Sequence, residues 1–166
     1  MNELPEWHPI AVHFPLALIV TAACALSAAR LKPMRRLAVT LAVVGTWNLC
    51  LGAIGALLAV ATGLAAVIHL QAGPAARVAV ALHVKWAIFT TVGLLLLGAW
   101  RGAGNAQDSR PSGVFLVVLW AMTAALVVTG YRGGLNVYRY GVGVAAATGV
   151  YAAPPPGVPD HEQNHR

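Results

Sequence analysis

Six of the 166 residues are histidines, and four of these histidines stand at or near the ends of apolar stretches. The four are His8, His13, His69 and His83. A neutral imidazole is the commonest metal ligand in proteins. Ionisable side chains at membrane helices are rare and usually functional. The histidines therefore predict a metal or cofactor site, provided that the fold brings them to one depth.

The composition predicts an integral membrane protein that would hold these histidines. Hydrophobic residues make up 58% of the chain and charged residues only 10%, whereas soluble domains carry about a quarter charged residues. Four nearly charge-free runs are each long enough for a span of about 20 residues. We expect an all-α fold, a four-transmembrane-helix up-down bundle with short loops. Its predicted spans are about 9–30, 37–62, 79–99 and 113–131.

Glycine and proline shape the expected ends of these elements. Gly63 marks a place where the long second apolar run can weaken or leave the bilayer. Gly133 and Gly134 permit a tight turn or a close backbone approach, so the chain beyond residue 131 can fold back over the bundle as an interfacial segment. The membrane domain is predicted over 1–144, followed by an interfacial segment and disordered tail over 145–166.

The basic residues predict the orientation of the bundle. Arg30, Lys32, Arg35 and Arg36 lie in the first connection, whereas no basic residue precedes the first span. By the positive-inside rule, we expect a multi-pass protein of the bacterial cytoplasmic membrane with both termini outside. Most of the 11 basic residues stand singly between apolar runs, which excludes a nucleic-acid-binding face and leaves membrane lipid as the surrounding partner.

This topology places the four histidines at the outer end of the bundle. His13 and His83 each lie about 5–6 Å below the predicted start of a helix, given a rise of 1.5 Å per residue. Facing helices of a bundle can hold haem iron through two imidazoles, so these two residues are the predicted axial ligands of a haem b. Two further histidines, His8 and His69, are candidates for hydrogen-bond partners of the ligands or for a second site. Four residues are expected around the outer mouth of the bundle, where the cations among them can face haem propionates: Lys85, Arg132, Arg139 and Tyr138.

Other metals or cofactors are alternative ligands of these histidines. Zinc usually takes three or four protein ligands, which the four histidines can supply. Copper is less favoured, because Met1, Met34 and Met122 do not cluster with the histidines, and a chlorophyll-type pigment can be held by a single histidine. The alternative without any ligand is that the histidines are hydrated, hydrogen-bonded residues near the membrane surface.

The resulting functional hypothesis is a haem b-binding electron-transfer subunit, with a larger membrane complex or an outer cytochrome c-type protein as partner. The alternative is a non-catalytic structural or pigment-binding accessory subunit of a respiratory or photosynthetic complex. A stand-alone enzyme is disfavoured, because all five acidic residues lie near the termini or in a loop and acid–base catalysis would lack carboxylates.

Three motifs resemble a known family. The chain begins His-Pro-Ile-Ala-Val-His-Phe-Pro-Leu-Ala-Leu over 8–18, has Ala-Leu-His over 81–83, and carries Thr-Gly-Tyr-Arg-Gly-Gly-Leu-Asn-Val-Tyr-Arg-Tyr-Gly-Val-Gly-Val over 129–144. Together they resemble the predicted bacterial membrane proteins with domain of unknown function 2231, over about residues 7–144. The resemblance implies a four-helix membrane domain with histidines at the openings of helices one and three, and it implies no established activity.

Overall fold

The computed structural model describes residues 7–68, 70, 72–103 and 110–143. The helices are α1 (Trp7–Ala11), α2 (His13–Ala28), α3 (Ala38–Ile68), α4 (Pro74–Ala103) and α5 (Gly113–Tyr140), and a 3₁₀ helix over Lys32–Leu37 joins α2 to α3. Four helical segments, with α1 and α2 counted as one, are long and apolar enough to cross a membrane. The predicted all-α, four-helix membrane fold is confirmed. The predicted tail over 145–166 lies outside the described residues.

The helices form a closed ring. Each long helix packs against the next one in the sequence, and α5 packs back against α2. The centre of the ring is a small apolar core whose largest fully buried side chains include Ile19, Leu26, Leu49, Leu94 and Leu119. Only 22–28% of each spanning segment is buried inside the protein, so most of the apolar surface faces outward, as lipid contact requires.

The ring has two chemically different ends. The basic end is where α2 and α4 finish and α3 and α5 begin, and it carries Arg30, Lys32, Arg35, Arg36, Arg101 and Arg110. The histidine end is the opposite one, where α1 begins and α3 finishes. Arg30 donates a hydrogen bond to the Pro111 carbonyl, which ties the end of α2 to the beginning of α5.

A stripe of small residues lets α3 approach α2 closely. Its buried members are Ala42, Gly45, Gly52, Ala56 and Ala59. A Cβ atom placed on Gly45 would lie 2.6 Å from the Cγ atom of Leu26, and one on Gly52 would lie 2.7 Å from the Cδ1 atom of Ile19. The stripe is therefore used for packing within the chain, in the way that small residues join membrane helices.

Replacing Gly45 with alanine is expected to destabilise the protein. The added methyl group collides with Leu26 on α2, and overpacking of this kind costs about 1–3 kcal/mol. Gly130→Ala is the matched control, because a Cβ at this helical position meets nothing within 4 Å and alanine gains up to about 1 kcal/mol in helix propensity. Thermal unfolding in detergent, followed by circular dichroism, should rank Gly45→Ala below wild type and Gly130→Ala at or above it. Equal unfolding temperatures for the two variants would contradict the packing role.

Three helices continue past their predicted ends. The helix α3 extends to Ile68 through Gly63, α4 begins at Pro74, and α5 extends to Tyr140 through Gly133 and Gly134. The expected turn at Gly133 and Gly134 is therefore absent from the described chain. The helix α5 ends instead at Gly141, whose φ of 65° is left-handed, and the N–H groups of residues 141 and 142 bond to the carbonyls of residues 137 and 136, an arrangement that glycine favours after a helix.

The first span is broken at Val12, which separates α1 from α2. Pro15 lies four residues beyond Ala11 and has no N–H group, so it cannot donate the helical hydrogen bond to the Ala11 carbonyl. The break falls between His8 and His13, which consequently lie on different helices. The spacing of these two residues along one regular helix is therefore no guide to where their rings point.

Candidate two-histidine site

The rings of His8 and His83 meet at the histidine end of the bundle. Their centroids are 6.4 Å apart, and the ring planes stand at 75° to each other. His8 comes from α1 and His83 from α4, so the two imidazoles reach the same place from different helices. Both side chains are partly buried.

Each imidazole is held by a backbone carbonyl of a third or fourth helix. The Nδ1 atom of His8 donates to the Ala59 carbonyl of α3 at 2.9 Å, and the Nδ1 atom of His83 donates to the Thr129 carbonyl of α5 at 3.1 Å. A carbonyl can only accept, so the proton of each neutral ring lies on Nδ1. Both Nε2 atoms therefore keep a lone pair, which is the form that binds a metal ion.

A glycine lies against each ring. A Cβ atom on Gly63 would lie 2.9 Å from the Cε1 atom of His8, and one on Gly133 would lie 3.2 Å from the Cε1 atom of His83. Both distances are shorter than ordinary van der Waals contact. These glycines lie inside α3 and α5 and do not end the helices. Because they have no side chain, the helix backbone can approach the imidazole ring closely.

The pair is recessed within the bundle. Ala59 precedes the end of α3 by nine residues, and His83 follows the beginning of α4 by nine residues, which is about 14 Å of helix in each case. On α5, eleven residues separate Thr129 from Tyr140. The ends of three helices therefore extend past the two imidazoles and surround them.

His13 has a different environment. Its side chain is exposed, and its Nδ1 atom donates to the carbonyl of Pro9 at 2.6 Å. His69 lies outside the described residues. The structure thus brings His83 together with His8, whereas the sequence predicted His13 as the second ligand.

Among the four predicted residues around the mouth, Arg132 lies deepest. Its guanidinium carbon is 5.5 Å from the centroid of the Trp86 ring, and its Nε atom is buried without a hydrogen-bond partner in the described part of the chain. Arg132 directly precedes Gly133, which packs against His83. Three others are exposed: Lys85, Tyr138, and Arg139 with its guanidinium carbon 6.0 Å from the Tyr140 ring.

Hydroxyl groups stabilise the backbone that holds the site. The hydroxyls of Thr90 and Thr129 lie 3.2 Å apart and join α4 to α5, about two helical turns along α4 from His83. On the other side, the Thr62 hydroxyl lies 3.4 Å from Nδ1 of His8. Ala59, Thr129 and the ring contacts of the two glycines were not predicted from the sequence, because carbonyl acceptors and close approaches carry no residue-type signature. A Thr-Gly pair beside each histidine contact, at 62–63 and 129–130, is a weak signal that was present.

The available ligand set is two imidazoles. No group of three or more His, Cys, Asp or Glu side chains comes together among residues 7–68, 70, 72–103 and 110–143. All five acidic residues of the chain lie outside these ranges. Within the described residues, the site therefore offers two imidazole nitrogens beside the Arg132 cation.

A family comparison agrees with this membrane architecture. The model of the family described as "Predicted membrane protein (DUF2231)" matches residues 5–146, and the chain belongs to this family. No curated protein and no solved structure matches the chain.

Proposed function

We propose that this member of the family binds haem b through His8 and His83 and transfers electrons at the membrane. The observation that carries the proposal is the pair of imidazoles from two helices, whose ring centroids are 6.4 Å apart and whose Nδ1 atoms are each bonded to a carbonyl. Haem supplies a one-electron redox centre, and its iron accepts two axial imidazoles. The protein supplies the two ligands, their orientation and an apolar surrounding.

The distance between the rings supports a shared metal ion. An imidazole nitrogen binds a metal at about 2 Å, so two rings on opposite sides of one ion have their centroids about 6 Å apart. The centroids of His8 and His83 are 6.4 Å apart. The two rings come from different helices, α1 and α4, and in this proposal His8 takes the ligand role that was predicted for His13.

The number of ligands favours haem over zinc. Zinc sites in proteins use three or four protein ligands, whereas the described residues bring two histidines together and no cysteine or carboxylate. Haem needs only two, because the porphyrin supplies four nitrogens. Zinc, copper and a chlorophyll-type pigment are the alternative occupants, and the experiment below distinguishes them.

Arg132 supports a ligand that carries carboxylates. Its Nε atom is buried and lacks a partner in the described chain, and a buried N–H donor without an acceptor costs free energy that an acceptor oxygen recovers. A haem propionate supplies such an oxygen, and guanidinium–carboxylate pairing is strong and directional. Lys85 follows His83 by two residues, Tyr138 and Arg139 follow Arg132 on α5, and all three are exposed; they complete the proposed propionate side of the site.

The charge distribution gives the proposed orientation. The basic residues before α3, namely Lys32, Arg35 and Arg36, are exposed at the end opposite the histidines. With the positive-inside rule, the basic end faces the bacterial cytoplasm and the histidine end faces outward in the cytoplasmic membrane. The electron partner is then an outer cytochrome c-type protein or another subunit of a larger membrane complex.

A haemin titration of the purified protein tests the proposal. We expect the detergent-solubilised chain to bind one haemin per chain, with a Soret band and a reduced spectrum typical of a six-coordinate, low-spin bis-histidine haem. Metal analysis of the same preparation, as isolated, detects zinc or copper, and its absorption detects a pigment. A haemin spectrum identical to that in empty detergent micelles would overturn the proposal, as would stoichiometric zinc, copper or pigment that requires His8 and His83.

A further inference from the structure

Asn136 is a buried polar residue on α5, close to the two-histidine site. It is only 6% exposed, and its side-chain amide makes no hydrogen bond within the described part of the chain. Its backbone carbonyl has a separate use, since it accepts the N–H of Val142 after the end of the helix. A buried amide without partners costs free energy, because its donors and its acceptor have lost water. The side chain is therefore available to a polar group that enters the site.

Asn136 lies on the face of α5 that contacts His83. The Thr129 carbonyl bonds to His83, and Gly133 lies against the same ring. Residues 129, 133 and 136 follow one another at spacings of four and three, which places them on one face of an α-helix. Asn136 lies about 4.5 Å farther along the helix than Gly133, toward the end of α5 at the histidine end of the bundle. The amide is therefore nearly one helical turn closer to the mouth than the contact with the ring.

Arg132 brings a second buried donor to the same part of α5. Its Nε atom is buried and has no partner among the described residues, and the Trp86 ring lies 5.5 Å from its guanidinium carbon. Arg132 and Asn136 are four residues apart in one continuous helix, a spacing at which Cβ atoms lie about 5–6 Å from each other. A guanidinium only donates and keeps its positive charge, whereas a carboxylate offers two acceptor oxygens. A carboxylate is therefore the group that can accept from both side chains at once.

On the basis of the haem site proposed for His8 and His83, we propose that Arg132 and Asn136 together bind one propionate of the haem. The Nε–H of Arg132 and the Nδ2–H of Asn136 donate to the carboxylate, and hydrogen bonds to a charged group are stronger than neutral ones. The imidazoles bind the iron of a porphyrin whether or not its carboxylates are free. Asn136 is then a positioning residue that selects porphyrins with free carboxylates.

Titrations of the detergent-solubilised full chain with two iron porphyrins test this role. Haemin has free propionate carboxylates, whereas haemin dimethyl ester has the same ring and iron with both carboxylates blocked. The ratio of the two affinities is measured for wild-type protein and for Asn136→Leu, in which an apolar side chain of similar size replaces the amide. We expect the preference for haemin over its ester to fall at least about tenfold in the variant, since a hydrogen bond to a charged group contributes about that factor. The affinity for the ester should not fall.

Asn48→Leu is the matched control, because it makes the same substitution away from the site. The Asn48 amide donates to the Val44 carbonyl of its own helix, and Asn48 precedes Ala59 on α3 by eleven residues, which is about 16 Å of helix. This variant should keep the wild-type ratio. Asn136→Ala removes the amide without adding bulk, so it should lower the ratio as Asn136→Leu does, even where leucine does not fit.

The outcomes separate this role from the haem site itself. If wild-type protein gives the bis-histidine spectrum with haemin and both Asn136 variants keep its affinity ratio, the role of Asn136 is overturned and the haem site stands. Equal losses of affinity for haemin and for its ester would show that Asn136 supports the fold and binds no carboxylate. Wild-type protein that takes up neither porphyrin would overturn both proposals.

Discussion

The His8→Ala variant is expected to lose the low-spin haem spectrum that wild-type protein acquires with haemin. His8 is the residue whose ring lies 6.4 Å from that of His83, and its removal leaves the iron with one protein ligand. Mutation of a residue that only orients a metal ligand typically lowers the metal affinity by about 10–100-fold. Loss of the ligand itself should therefore weaken haemin binding by more than about 100-fold. His83→Ala should have an effect of the same size.

His13→Ala is the matched control for this result. His13 is exposed and bonded to the Pro9 carbonyl four residues earlier in the chain, so its variant should keep the wild-type spectrum and affinity. The sequence-based prediction makes the opposite statement, that His13 and His83 are the ligands. If His13→Ala loses the low-spin spectrum and His8→Ala keeps it, the pair His8 and His83 is rejected as the ligand set, and His13 and His83 are favoured instead.

External imidazole distinguishes a missing ligand from a damaged fold. In His8→Ala, the space of the lost ring can admit free imidazole, and a rescued ligand should return the six-coordinate spectrum at millimolar imidazole. A variant that binds haemin normally without imidazole would show that His8 is no ligand. A variant that imidazole does not rescue, although its unfolding temperature equals that of wild type, would argue against a coordination role for this position.

The sequence was sufficient for the membrane architecture. Four charge-free runs predict four spans because a helix in lipid must bury every backbone polar group within itself and cannot place charges at mid-depth. The four spans and their order are observed. Small residues of α3 also pack closely on α2, as Gly45 does on Leu26 and Gly52 on Ile19.

The histidine pairing needed information that helix periodicity does not contain. The prediction compared depths along regular helices that begin at residues 9 and 79, whereas α4 begins five residues earlier and the first span breaks at Val12. Because of that break, the orientation of the His8 ring is set by α1 and by the hydrogen bond of its Nδ1 atom to the Ala59 carbonyl on α3. Pro15 is a residue-type signal for the break, whereas a carbonyl partner 51 residues away has none.

The glycines were the second feature that the sequence left ambiguous. In the sequence, Gly63 and Gly133 are consistent either with a weak helix end or with a close approach of the helix backbone to a neighbouring group. Gly63 was predicted to mark a weak helix end. Both glycines lie within continuous helices and touch imidazole rings. A helix in an apolar environment keeps its hydrogen bonds through a glycine, because water does not replace the bonds that an unwound turn would lose.

Gly133→Ala is accordingly expected to weaken haemin binding by about 10–100-fold, the range observed when the supports of metal ligands are altered. The new methyl group would lie 3.2 Å from the Cε1 atom of His83. The ring must therefore shift away from α5, and its hydrogen bond to the Thr129 carbonyl, 3.1 Å long, lengthens or bends. A displacement of about 0.5 Å is already enough to impair a preorganised ligand set.

The next residue supplies the control for this prediction. Gly134 lies in the same turn of α5, and a Cβ atom there meets nothing within 4 Å. Gly134→Ala changes the helix propensity by the same amount as Gly133→Ala, but it leaves His83 untouched, so its haemin affinity should equal that of wild type. Titrations of the two variants side by side isolate the contact with the ring from the general effect of alanine in the helix. Equal affinities for both variants would show that the close approach of Gly133 to His83 does not position a ligand.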